Sequence, residues 1–218
     1  MNEQASARTE ARARKQRKRI LDAARECFIR EGFHAASMAS LAATAKMSAG
    51  LIYRYFDSKS AIILAIIEEQ LEERRANIAT LQSDDDLAQR VRDLFSRWRR
   101  ADPSVVNPAL FLEISVEASR DPRIAEALGN ADRIAGSEFR SWLTRLAAAR
   151  GHKLPACEAK ARVLLLQVFI EGLATRAVRD PGFDSADLSA ALDYLLAMVM
   201  SFEPMPLSKD IDGEQRSR

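Results

Sequence analysis

The chain has 218 residues, of which 47% are hydrophobic and 29% charged, and a formal net charge of +2, the balance of a soluble globular protein with a real apolar core. Only eight Gly and seven Pro exclude a turn-rich β fold, and the dominant residues Ala, Leu, Arg and Glu all favour helix. Cys27 and Cys157 form no CxxC pair, and the most apolar stretch, Val163 to Ile170, is interrupted by Gln167 and too short for the ~20 residues of a membrane span, so a reduced, cytoplasmic protein is expected.

Residues 1–60 carry twelve Lys and Arg against six acids, a net of +6, which leaves −4 for residues 61–218. Such asymmetry points to a polyanionic partner for the first quarter. Residues 1–13 lack apolar periodicity and are expected to form a disordered basic arm. From about Arg14 a helix carries Ile20, Ala24, Cys27 and Phe28 on one stripe, and Gly32 ends it.

A second, short helix follows Ser37, an N-cap residue, and runs from Met38 to Ala45. Only Lys46 and Met47 intervene before Ser48 caps a third helix, expected through Phe56. Asp57 or Ser58 caps a fourth that continues from Lys59 to about Leu81. Two short helices joined by so tight a turn, braced by a preceding helix, form a helix-turn-helix pattern over residues 14–60.

Residues 61–203 read as a second, larger helical domain. Asp84, Asp85 and Asp86 make an acid-rich start for a helix that stops before Pro103. Pro108, Pro122 and Pro155 each open a further helix. The last, about Ser185 to Phe202, carries Leu188, Leu192, Leu195 and Val199 on one face. Residues 204–218 are expected to be a disordered tail. The fold class is therefore all-α, with about nine helices in two domains.

The run Arg19-Ile20-Leu21-Asp22-Ala23-Ala24, then Phe28, Gly32-Phe33, Ser37-Met38, Leu41-Ala42, Ala45, Met47-Ser48 and Gly50 through Lys59 resembles the N-terminal signature of the TetR family of transcriptional regulators. The likeness covers about 45 contiguous residues in order. It implies a DNA-binding homodimer, a repressor that occupies a pseudo-palindromic operator and is released by a small-molecule effector. In such a dimer the recognition helices sit roughly 34–36 Å apart, or further if two dimers bind side by side.

Physically, the second helix of the motif rests on phosphates and the third enters the major groove. Ser37 and Ser48 have hydroxyls for phosphates. Ala49 and Gly50 keep the helix end thin, and Leu51 stands where the family often has Thr. Tyr53 and Tyr55 resemble positions that contact phosphates or thymine methyls, Lys59 resembles a phosphate anchor, and Arg54 is the candidate for a guanine contact. Arg8, Arg12 and Arg14 form an arm aimed at the minor groove. Lys46 occupies a turn position usually held by Gly; in a left-handed conformation it costs on the order of 1 kcal/mol.

The resemblance also places the ligand pocket and the dimer interface in the second domain. For the pocket, aromatic side chains Phe95, Trp98, Phe111 and Trp142 are candidates, with Glu113, Glu117, Gln167 and Glu171 as its polar groups. For the interface, the candidates are Leu165, Phe169 and Gly172 on the eighth helix and Leu192, Leu195 and Val199 on the ninth. The alternative is a DNA-binding dimer with no small ligand. With only two His, no nucleophile elbow, no metal-spaced ligands and no phosphate-cradling glycine loop, no enzyme activity, catalytic residue, metal or cofactor is expected.

Overall fold

The computed structural model describes residues 2–100, 102, 105–180 and 182–202, with side chains from residue 6 onward. The nine helices among these residues are α1 (Asn2–Glu31), α2 (Met38–Ala45), α3 (Ala49–Tyr53), α4 (Lys59–Ala79), α5 (Asp84–Arg99), α6 (Pro108–Ala118), α7 (Pro122–Ala149), α8 (Ala156–Arg179) and α9 (Ser185–Met200). The described residues contain no strand.

Helix starts follow local chemistry. Ser37, Ser48, Ser58, Ser83, Asn107, Asp121 and Asp184 each accept a backbone N–H of the first turn they cap, satisfying donors that a helix cannot satisfy internally. Ser37 and Ser40 complete a reciprocal capping box. Helix ends are as local: Gly32 (φ +77°) closes α1 and Gly151 (φ +79°) follows α7, conformations that cost glycine nothing.

Two expectations at helix ends are corrected. Residues 2–13 continue α1 back to Asn2 rather than forming a disordered arm. The stretch 2–31 contains no Gly or Pro and is rich in Ala, Arg, Glu and Gln, so its backbone is helix-prone even over residues 6–12, which are all exposed. The third helix ends at Tyr53, not Phe56. Both the Tyr55 and Phe56 amides donate to the carbonyl of Ile52, tightening the chain so that Phe56 turns inward. The expected tail 204–218 lies outside the described residues.

Two apolar cores organise the chain. The first gathers Ile20, Leu21 and Phe28 of α1, Leu41 of α2, Ile52 of α3 and Phe56, and extends to Ile62, Ile63 and Ile66 of α4 and Leu110, Ile114 and Ile124 beyond. The boundary expected at residue 60 therefore does not bound this core: α4, α6 and the start of α7 complete it. The second core joins Leu87, Val91 and Phe95 of α5, Phe139, Trp142 and Leu143 of α7, Val163 and Leu166 of α8 and Leu192 and Val199 of α9. Thus α7 belongs to both cores.

A buried cation ties the last helices together. Arg162 of α8 is 1% exposed. It donates to the carbonyls of Val199 and Ser201 and pairs with Glu158 at 3.2 Å. Those carbonyls lie at the end of α9, where no further turn would satisfy them, so the guanidinium takes that place.

Candidate nucleic-acid interface

The α2–α3 pair is held from below by α1 and from the side by Ile52 and Phe56, both buried. Its outer surface is left clear. Gly50 and Tyr53 of α3 and its C-cap Arg54 are exposed, and among the described residues nothing beyond Gly50's own helix and chain neighbours lies within 4 Å of the place a Cβ on Gly50 would occupy. Gly50 thus serves no packing contact within the chain, which leaves this helix end thin toward an external surface. Tyr53 is 51% exposed. Arg54 is the C-cap of α3, so its side chain leaves from the far end of the helix rather than from its N-terminal half.

Ser37 and Ser48 use their oxygens as acceptors for Ser40 N–H (3.0 Å) and Leu51 N–H (3.2 Å). Each hydroxyl hydrogen remains available to an outside acceptor. Ala49, Leu51 and Tyr55 are half-buried, with Ala49 and Tyr55 packed on the first core.

Lys59 has a different task from the phosphate anchor expected of it. Its ammonium donates to the carbonyls of Phe33 (2.7 Å), His34 (3.2 Å) and Ala36 (2.7 Å) and sits 4.6 Å from the Phe33 ring centroid. Three contacts use all three N–H donors of a lysine. Lys59 therefore pins the loop between α1 and α2 and has no donor left for a phosphate.

Two residues that were given no individual role from the sequence, Arg19 of the signature run and Arg17, brace α3 from α1. Arg19 donates to the carbonyl of Lys46 at 3.0 Å, just before α3, and the Arg17 guanidinium lies 4.6 Å from the ring centroid of Phe56, just after it. Lys46 itself is left-handed, with φ 50° and ψ 49°, so the penalty attached to that conformation at this turn position applies.

The eight residues expected to line one pocket are dispersed. Glu113 accepts the Phe33 amide at 3.0 Å, and Glu117, 6% exposed, faces His34 at 3.4 Å. Glu113 thus binds the α1–α2 loop, while Glu117 lies against that loop with its Oε2 buried and without a hydrogen-bond partner among the described residues. Equal spacing on one helical face was legible from the sequence; what that face met was not. Trp142 and Trp98 spend their indole N–H groups on Leu81 O (3.1 Å) and Val106 O (2.8 Å). Phe95 is buried against Phe183. Phe111 is half-buried on α6, with its carbonyl accepting from Ser115.

Gln167 and Glu171 remain together. Gln167 donates to Asp132 O at 3.3 Å, and Asp132 pairs with Arg74 at 2.8 Å. Glu171 is exposed as a residue, yet partial withdrawal of its carboxyl from water lifts it above the ordinary glutamate value, Asp132 adding to the lift and Arg74 opposing it. A surface concavity of about 390 Å³ between α5 and α9, bordered by Asp84, Arg92, Asp193 and Met200, contains none of the eight.

The expected dimer residues divide the same way. Leu165 is 39% exposed, while Leu192, Leu195 and Val199 are at most 9% exposed and belong to the chain's own core. Phe169 is half-buried on that core, and Gly172 is exposed with open space around it. The exposed large apolar residues of these two helices are Leu164, Leu165, Val168 and Val178 on α8 with Tyr194 (80% exposed) and Met198 on α9, so of the expected set only Leu165 is among them. The most apolar stripe of α9 went inward, because the chain's own core takes it first, and the outer stripe lies one residue away.

A short helix with a bare outer face, presented by a tight left-handed turn and carried on a second helical domain, defines a helix-turn-helix regulator. Residues 20–66 match the family of bacterial regulatory proteins, tetR family, and residues 107–201 match the BetI-type transcriptional repressor, C-terminal family. The HTH-type transcriptional regulator UidR of Escherichia coli (strain K12) is 36% identical over 118 residues, 52% of this chain and 57% of UidR, so the chain spans little more than half of that relative. The HTH-type nicotine-responsive transcriptional repressor HdnoR of Paenarthrobacter nicotinovorans is 27% identical over 172 residues, 76% of this chain and 84% of HdnoR. Among solved structures, Salmonella enterica GusR is similar at a TM-score of 0.71 and 26% identity, over 85% of this chain and 95% of that one. The chain belongs to the TetR family of transcriptional regulators.

Proposed function

We propose that this chain is a DNA-binding repressor that acts in the cytoplasm as a homodimer on a pseudo-palindromic operator, released by a small-molecule effector in the second domain. One observation carries the reading. Gly50, Tyr53 and Arg54 are exposed on a short helix that Arg17, Arg19 and Phe56 hold rigid. A rigid, protruding helix with a cation and an aromatic at its surface is suited to a major groove.

The outer α8–α9 stripe of Leu164, Val168, Tyr194 and Met198 is the proposed dimer face. An apolar patch of this kind is rarely left to water. Gln167 and Glu171, beside Asp132 and Arg74, are the polar groups proposed for an effector. The likeness to a repressor described as nicotine-responsive supports a small-molecule signal. Helix α4 begins in the core of the DNA-binding half and ends tied to α7 through Arg74–Asp132 and Arg75–Glu138, so it is the proposed transmitter between the two halves.

The test is fluorescence anisotropy at physiological salt on DNA from upstream of the chain's own gene, with a scrambled duplex as control. Binding at least ~10³-fold tighter to the operator is expected. Tyr53→Ala and Arg54→Ala should abolish that preference while leaving the melting temperature unchanged, since both side chains are exposed. Equal binding to every duplex, even after selection from random sequence, would overturn the reading.

A further inference from the structure

The N-terminal part of α1 does no work for the fold, yet it is placed with care. Every residue from 6 to 12 is exposed, and the helix reaches Asn2, ~27 Å beyond Ile20, its first fully buried residue, at a rise of 1.5 Å per residue. A helix segment whose every residue is exposed gains little from tertiary packing, so its sequence is free to serve something outside the chain.

At 100° per residue, Arg8, Arg12, Lys15 and Arg19 fall within an arc of about 60° on one face. All four are exposed. Glu10 falls on the opposite side, where its carboxylate accepts from Ser6 at 3.3 Å. Lys18 and Arg25 are neutralised by Asp22, but among the described residues Arg8, Arg12 and Lys15 have no carboxylate partner.

The last member of the basic face fixes where the others go. Arg19 holds the carbonyl of Lys46 at the turn that presents α3, and Arg17, two residues earlier, packs on Phe56 at the other end of that helix. This turn of α1 therefore lies beside the two ends of α3, with Arg19 on the basic face and Arg17 on the opposite side of the helix, and the basic face continues along α1 from Arg19 toward Arg8. From Arg19 to Arg8 it extends ~16 Å along the helix axis.

We infer that residues 6–19 form a rigid helical arm that lays Arg8, Arg12 and Lys15 along the phosphates flanking the operator bases read by α3. The inference rests on the DNA-binding reading above and adds a second, sequence-independent contact to it. It also replaces the minor-groove arm expected from the sequence. A helix with side chains is ~10–12 Å across and does not enter a groove ~6 Å wide, whereas a straight row of cations meets a duplex that carries one charge per ~1.7 Å.

The experiment uses the full chain and a duplex obtained by selection from random sequence, with about one helical turn (~10 bp) of flanking DNA on each side. Affinity is measured against salt for the wild type and for Arg8→Ala/Arg12→Ala/Lys15→Ala, in which alanine preserves the helix. The slope of log affinity against log salt should fall by roughly 2–3 per protomer. Affinity should fall by the same factor on selected and scrambled duplexes, and removing the flanks should erase the difference between the two proteins. Ala11→Pro keeps every charge but interrupts the helix, and should lower the slope by roughly one as Arg8 loses its place.

An unchanged slope in the triple variant, or a loss confined to one base sequence, overturns the arm. An unchanged slope in Ala11→Pro overturns its helical placement. Failure of the wild type to prefer the selected duplex overturns the DNA-binding reading instead, so the two failures are distinguishable.

Discussion

The backbone amide of Phe33 donates a 3.0 Å hydrogen bond to the carboxylate of Glu113, 80 residues further along the chain. Glu113 thereby reaches from α6 into the DNA-binding half, and its oxygen lies 3.6 Å from where a Cβ on Gly32 would sit. The carbonyl of the same Phe33 accepts from Lys59 at 2.7 Å. One loop residue is thus held through its amide by α6 and through its carbonyl by α4.

Removing either hold should loosen the same loop. Glu113→Ala strands a part-buried amide and should cost about 1–3 kcal/mol, while Glu113→Gln keeps an acceptor and should cost less. Lys59→Ala strands three carbonyls and should cost a similar amount. Urea denaturation measures the losses, and hydrogen exchange should show the amides of residues 32–36 opening together. A Lys59→Ala protein of unchanged stability but weakened DNA affinity would restore Lys59 to the role of phosphate anchor.

Lys46 is left-handed and its side chain is exposed. Lys46→Gly should raise stability by about 0.5–1 kcal/mol, the relief of the left-handed penalty offset by the greater freedom of glycine in the unfolded chain. The Arg19 contact goes to the backbone carbonyl and should survive. Chemical denaturation of the variant at neutral pH is the check.

The two stripes of α9 should respond in opposite ways to substitution. Tyr194→Asp, on the outer stripe, should convert a dimer into a folded monomer in sedimentation equilibrium with its helical circular dichroism intact. Leu192→Ala, on the fully buried stripe, should instead cost about 2–5 kcal/mol through the cavity it leaves. Dissociation by Leu192→Ala without loss of stability would contradict the placement of that stripe.

Glu171 makes stability depend on pH. Its carboxyl is lifted by partial burial and by Asp132, so the folded state holds that proton more tightly than the unfolded state. The stabilisation is fully present below the ordinary glutamate value and is lost as pH rises through the lifted one. Glu171→Gln should therefore be more stable than the wild type at neutral pH, with the advantage disappearing in acid. Thermal melts across that window measure it, and a constant difference at every pH would show that charge is not the cause.

Much of this protein was legible in its sequence because it is written in local chemistry. Ser37, Ser48 and Ser58 each start a helix where they stand, Gly32 ends one, and the spacing between them sets the helix-turn-helix. Local signals act over a few residues, so they survive without knowledge of the rest of the chain. The tertiary structure alone decided which way each face points. Glu113 and Glu117 share a helix face whose partner is a loop 80 residues away, Leu192 and Tyr194 are two positions apart yet lie on opposite sides of α9, and the three donors of Lys59 meet carbonyls of the α1–α2 loop instead of a phosphate. Periodicity reports that a face exists; only packing, which competes all apolar and polar surfaces against one another at once, settles what that face meets.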